Sequence, residues 1–186
     1  MSQRRKALLL IDVQKAFWGP ANHAATSSFP HLPTNVTKLL STSRSCPHTS
    51  VIHIHAAYIN APWLKAFGKL NPQFSPSMET YANNPAIDFA SPIEGEIIIG
   101  KPTFDGFQNT NLEETLKDLD VEEVHCAGLV TSACVLMTAH GAFSKGWDVS
   151  LVEDCCGDRS VERHEACLDT YGGYMFERIK INDVEK

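Results

Sequence analysis

The sequence predicts an α/β fold, a mostly parallel β-sheet with helices on both faces. Two observations carry that expectation. Short continuous apolar runs, suited to strands buried on both sides, recur along the chain, and segments with helical spacing lie between them. A strand, a crossover helix and a second parallel strand form a right-handed unit. With 186 residues, 43% of them hydrophobic and 20% charged, the chain can build one sizeable core, so a single domain over residues 1–186 is expected.

"KALLLIDV" (6–13) is the first strand, a short apolar run. "PTNVTKLLSTSRS" (33–45) opens on proline–threonine and has helical apolar spacing. "TSVIHIHAAY" (49–58) is β-branched and apolar, a second strand, and "GEIIIGK" (95–101) is a third. "NTNLEETLKDLD" (109–120) places Leu112, Leu116 and Leu119 on one helical face, with Asn or Thr available as a cap. "EEVHCAGL" (122–129) is the fourth strand. "TSACVLMTAHGAFSKG" (131–146) is a helix stopped by Gly146. "WDVSLVED" (147–154), "SVERHEACLDTYGG" (160–173) and "MFERIKIN" (175–182) read as strand, helix and strand. The stretch 58–94 breaks this rhythm. It holds Pro62, Pro72, Pro76, Pro85 and Pro92 among Trp63, Phe67, Phe74 and Tyr81, and a long aromatic loop of this kind is usually a lid, a pocket wall or a subunit contact.

Charge and cysteine usage exclude several classes. Sixteen basic and 22 acidic residues give a formal charge of -6, with no basic run, so no nucleic-acid partner is expected. No apolar run reaches the length of a membrane span, and the apolar start meets Asp12 too soon for a signal peptide. The six cysteines match no zinc spacing, and adjacent Cys155 and Cys156 are poorly placed for an ordinary bridge. Free thiols in a reducing, cytoplasmic setting are expected.

In open parallel sheets, ligands bind beyond the carboxyl ends of the strands. Asp12 ends the first predicted strand, Lys101 ends the third, and Cys134 follows the fourth by about one turn, where a helix opens. A free cysteine has a pKa of about 8.5, which a helix N-terminus or a nearby ammonium lowers. A carboxylate within reach can take the thiol proton and later hand it to a leaving amine. Backbone N–H groups of the turn before the helix can hold an oxyanion. Together the three side chains suffice for acyl transfer through a thioester. Each also has an ordinary structural role: a packed core thiol, a turn-capping aspartate, a solvated lysine.

The segments "LLLIDVQKAFW" (8–18), "GKPTFDGFQNTNLEETL" (100–116) and "CAGLVTSACVLMTAHGAFSKGWDVSLVEDCCGDRSVERHEACL" (126–168) resemble the isochorismatase-like cysteine hydrolases, which include nicotinamidases and other small-amide hydrolases. The resemblance spans nearly the whole chain. It implies a three-layer α/β/α sandwich with a six-stranded parallel sheet, and a catalytic triad of Asp12, Lys101 and Cys134. It further implies a cis peptide at Leu129–Val130, with the N–H groups of Val130 and Cys134 as the oxyanion hole. Isochorismatases proper act on a vinyl ether and lack the cysteine, so Cys134 favours hydrolysis of a C–N bond. Oligomers are common in that family, and a homo-oligomer is expected.

His53 and His55 share one face of their strand and form half of a possible metal site. The Asp-x-His pair that holds metal in nicotinamidases has no counterpart here, and no third ligand can be named, so no metal and no cofactor are expected. His164 is expected to make a structural hydrogen bond. Phe17, Trp18, Trp63 and Phe104 are expected to line the pocket of a small-molecule substrate. The alternatives are an inactive binding protein on the same fold, a nicotinamidase or isochorismatase activity, or a thiol redox protein using Cys126, Cys134 and the adjacent Cys155 and Cys156.

Overall fold

The computed structural model describes residues 4–59, 61–72 and 84–184. Phe74, Pro76 and Tyr81 of the predicted long loop lie outside the described residues. Strands β1 (Lys6–Ile11), β2 (Thr49–Ala56), β3 (Ile97–Lys101), β4 (Glu123–Leu129), β5 (Asp148–Gly157) and β6 (Glu177–Ile179) form one sheet in the order β3-β2-β1-β4-β5-β6. Every neighbouring pair is parallel.

Six helices accompany the sheet among the described residues: α1 (His23–Ser28), α2 (Leu32–Ser45), α3 (Leu64–Leu70), α4 (Leu112–Asp118), α5 (Leu136–Ser144) and α6 (Val161–Tyr171). Alternation along β1 sorts its side chains between two layers. Ala7, Leu9 and Ile11 pack with Leu112, Leu116, Ala139 and Leu168 of α4, α5 and α6. Leu8 and Leu10 pack with Val36, Leu39 and Leu40 of α2 on the other face. Both faces are therefore covered, which is why β1 carries no polar residue between Ala7 and Ile11. Proline in the first turn of α2 sits where its missing N–H costs nothing, and the Ser160 hydroxyl accepts from Arg163 N to cap α6.

From β1 the chain moves outward through β2 to β3, then crosses back and moves the other way through β4 and β5 to β6. The reversal falls between β1 and β4, and a crevice outside the carboxyl ends of these strands is where such sheets bind ligands. Gly128 holds the two strands together there. Its φ is +123°, and a Cβ at this position would lie 2.1 Å from the carbonyl oxygen of Ile11. The β4–β5 register also shifts between Cys126 and Gly128, a bulge beside the crevice.

Several boundaries depart from the sequence reading. β2 ends at Ala56 rather than 58, which leaves Tyr58 beyond the strand, and β5 continues through Cys155 and Cys156 to Gly157. The short helices α1 and α3 were not expected. Six and seven residues give too few turns for a periodic signal, and α3 buries none of its side chains. The segment 131–146 begins as a wide turn, Thr131–Val135, with the N–H of Val135 reaching the carbonyl of Val130 at 3.3 Å, before α5 proper.

Candidate active site

Asp12 is the first residue after β1. Its N–H donates to Ile54 O at 2.8 Å, continuing the β1–β2 ladder, and its φ of 53° then turns the chain sharply at the rim. Aspartate tolerates that left-handed backbone better than most residues. Gln14 fixes the turn: its Oε1 accepts from Ala56 N at 2.8 Å and its Nε2 donates to Asn84 O at 2.6 Å. Lys101 ends β3 and is wholly buried. Its three ammonium hydrogens are matched by three acceptors: Asp12 Oδ2 at 2.8 Å, the Tyr58 hydroxyl at 3.1 Å and Thr103 O at 3.1 Å.

Cys134 lies in the wide turn after β4, and the peptide bond Leu129–Val130 that enters this turn is cis. Buried polar contacts hold the turn from behind. Asp158 accepts from Ser132 N at 2.7 Å, and the Cys167 thiol reaches Thr131 O at 3.7 Å. The Thr131 hydroxyl has one proton and faces the carbonyl of Gly157 at 3.1 Å, so it donates there. His164 Nδ1, 2.8 Å from the same oxygen, must then be the donor to it. His164 thus braces the cysteine turn, and also packs edge-on against Phe29.

The structure therefore gathers Asp12, Lys101 and Cys134, and all three are almost wholly buried. Burial raises the Asp12 pKa, and the Lys101 charge offsets this only in part. Burial alone would lower the Lys101 pKa, but Asp12 and Cys134 together outweigh it and the ammonium is held above its ordinary value. Burial also pushes the Cys134 thiol up to about 12; the Asp12 charge adds to the rise, while Lys101 and a hydrogen bond from Tyr58 oppose it. The lysine expected to favour the thiolate does so, but less than burial opposes it. Burial thus favours a neutral thiol at rest, close to a carboxylate whose Oδ1 is buried with no hydrogen-bond partner among the described residues.

Above this group is a cavity of about 380 Å³. Asp12 and Cys134 form part of its wall, with Val130 and Ala133 of the cysteine turn. Phe17, Trp63 and Phe104 line it as well. Trp63 and Phe104 pack at a tilt of 53° with centroids 4.7 Å apart, and the Trp63 indole donates to Pro102 O at 2.9 Å, which ties α3 to the end of β3. Larger space, about 640 Å³, opens at the amino ends of β4 and β5 beside Glu123 and Asp148, away from Asp12, Lys101 and Cys134.

Trp18 does not line the cavity. A short turn at Lys15–Phe17 directs Phe17 inward, and Trp18 is buried on the α2 side with its ring edge-on to Phe89, so its expected role in substrate binding is withdrawn. Among the lining residues that sequence reading did not single out for the cavity are the polar Asn22, Tyr58, Asn71 and Arg159. Tyr58 follows β2 by two residues and Arg159 follows β5 by two, on the same rim as Asp12 and Lys101.

The histidine pair on β2 does not fit a metal. His53 Nε2 lies 2.9 Å from Glu96 Oε2, and Arg44 binds the same carboxylate through Nε and Nη2 at 2.8 and 2.9 Å. Burial, and then the charge of His53, lower the His55 pKa to about 4. Among the described residues no group of three His, Cys, Asp or Glu side chains could hold a metal ion. No helix among them is long and apolar enough to cross a membrane.

Comparison with known proteins places this site in a family. The chain is 30% identical over 156 residues to an uncharacterized isochorismatase family protein of Bacillus subtilis, covering 82% of this chain and 73% of that one. It is 30% identical over 169 residues to the maleamate amidohydrolase of Pseudomonas putida, covering 89% and 78%. The crystal structure of a cysteine hydrolase from Pseudomonas syringae pv. phaseolicola has the same fold, with a TM-score of 0.84 at 21% identity over 97% of this chain and 90% of the other. The sequence model of the isochorismatase domain matches residues 6–179, and the chain belongs to the isochorismatase family.

Proposed function

We propose that this protein is a cysteine hydrolase that cleaves the C–N bond of a small amide through a thioester on Cys134. One observation carries the reading: the Cys134 thiol and the ion pair of Asp12 and Lys101, 2.8 Å apart, meet at the wall of a cavity of small-molecule size. Similarity to a maleamate amidohydrolase supports the choice of bond.

As Sγ attacks the amide carbonyl, the thiol proton passes to Asp12 and the carbonyl π electrons move to oxygen. The N–H groups of Val130 and Cys134 hold that oxyanion. Collapse breaks the C–N bond, and Asp12 gives its proton to the departing nitrogen. A water then loses a proton to Asp12 as its oxygen adds to the thioester carbon. The second collapse breaks the C–S bond, and the proton returns to sulfur. Lys101 keeps the carboxylate oriented and balances its charge throughout. The raised Asp12 pKa suits a group that must accept and release a proton in turn. Arg159, half exposed at the cavity wall, supplies a cation that can meet a carboxylate on the substrate, so acidic amides such as maleamate are the first to try.

The test is ammonia release across small amides with Cys134→Ala as the blank. Turnover in the wild type with none in the variant is expected. Full activity in Cys134→Ala ends the covalent mechanism.

A further inference from the structure

We propose that Tyr58 is a catalytic residue whose hydroxyl donates a hydrogen bond to Cys134 Sγ and stabilises the thiolate as it forms; this rests on the cysteine-hydrolase reading above. Lysine has no acceptor, so in the 3.1 Å contact the Tyr58 oxygen receives a hydrogen from Lys101 Nζ. The hydroxyl also lies 3.5 Å from the sulfur, within range for a bond to sulfur, and a bond from Tyr58 favours the thiolate. Tyr58 is 3% exposed, so bulk water does not compete for that bond.

The phenol thus relays the ammonium's field to the sulfur. It keeps its proton throughout, and no bond to it forms or breaks. A neutral thiol is a weak acceptor and a thiolate a strong one, so the bond strengthens as Sγ loses its proton to Asp12. An interaction that grows along the reaction lowers the barrier instead of merely tightening the ground state. Tyr58 also packs edge-on against Trp63 and Phe104, with centroids 4.9 and 6.0 Å apart. Phenylalanine keeps the ring that makes those contacts and removes only the hydroxyl.

The experiment needs no substrate. Wild type and Tyr58→Phe are treated with iodoacetamide across a pH series, and alkylation at residue 134 is followed by peptide mass spectrometry. Loss of the donor should slow alkylation about tenfold at each pH, as expected for a thiol whose pKa rises by about one pH unit. The melting temperature should change little, because a merely structural role for the ring would leave the alkylation rate untouched. Equal rates in a reactive wild type and in the variant overturn the role of Tyr58 and leave the hydrolase reading standing. A wild-type Cys134 that resists iodoacetamide throughout overturns both.

Discussion

Two thiols eight positions apart share a resting acidity and differ in almost everything else. Burial pushes both Cys126 and Cys134 up to about 12. At Cys126, inside β4, burial is the whole cause: Leu9 and Leu151 are its partners in the adjacent strands, and the side chain packs in the core between sheet and helices. At Cys134, one turn past the same strand, burial is joined by a carboxylate that opposes ionisation and by an ammonium and a phenol that favour it. The first site has no route for its proton. The second has an acceptor beside it and a cavity above it. Resting pKa therefore does not distinguish the two sulfurs; under the proposed mechanism the neighbours able to receive the proton do.

The contrast is sharpest at the sulfur itself, where Cys134→Ala should remove all turnover. The next largest effect is expected from Asp12→Asn. Hydrolysis should fall by about 10²–10⁴-fold, the usual worth of a general acid–base group, in the ammonia-release assay. Alkylation of Cys134 should slow as well, because the group that receives the thiol proton is gone. Unchanged alkylation beside lost hydrolysis would mean that Asp12 serves the departing nitrogen and not the sulfur. Cys126 should stay unreactive in wild type and variant alike.

Much of this contrast was legible in the sequence. The runs 6–13 and 122–129 suited buried strands, and Asp12, Lys101 and Cys134 each stood at or just past a strand end, so a parallel sheet could bring them to one rim; the resemblance to cysteine hydrolases is what named them together. Residues whose distance from a strand end was misjudged were the ones missed. β5 was read as ending at 154; its continuation to Gly157 brings Asp158 under the cysteine turn and Arg159 to the rim. Tyr58 was read as the last residue of β2, although the strand stops at Ala56. Its uncharged ring also gave no reason to look there for chemistry. Trp18 failed for the opposite reason: proximity to Asp12 in sequence suggested the pocket, but one tight turn separates adjacent aromatic rings onto different sides.

Gly128 lies between the two cysteines and makes their difference possible. Gly128→Ala would put a methyl group against the Ile11 carbonyl on a backbone that L-residues rarely adopt. The expected cost is about 3 kcal/mol or more, read as a lower denaturation midpoint. Because Ile11 precedes Asp12, and Gly128 precedes the cysteine turn by only a few residues, the folded fraction should also lose turnover. An alanine variant as stable and active as wild type would show that β1 and β4 can separate without disturbing the site.

The smallest effect is expected at Cys126, and it bears on whether burial alone describes that thiol. Cys126→Ala deletes a buried sulfur from the core and should cost about 1–2 kcal/mol in urea unfolding, at the low end for a large-to-small core change because little volume is removed. The carbonyl of Cys126, which accepts the Cys156 thiol at 3.9 Å, is untouched by the substitution. Turnover per folded molecule should therefore stay within about twofold of wild type, as for a site that supplies packing and no reacting atom. If activity fell tenfold at unchanged stability, the core thiol would be influencing Cys134 through β4, and the two sulfurs could no longer be treated as independent.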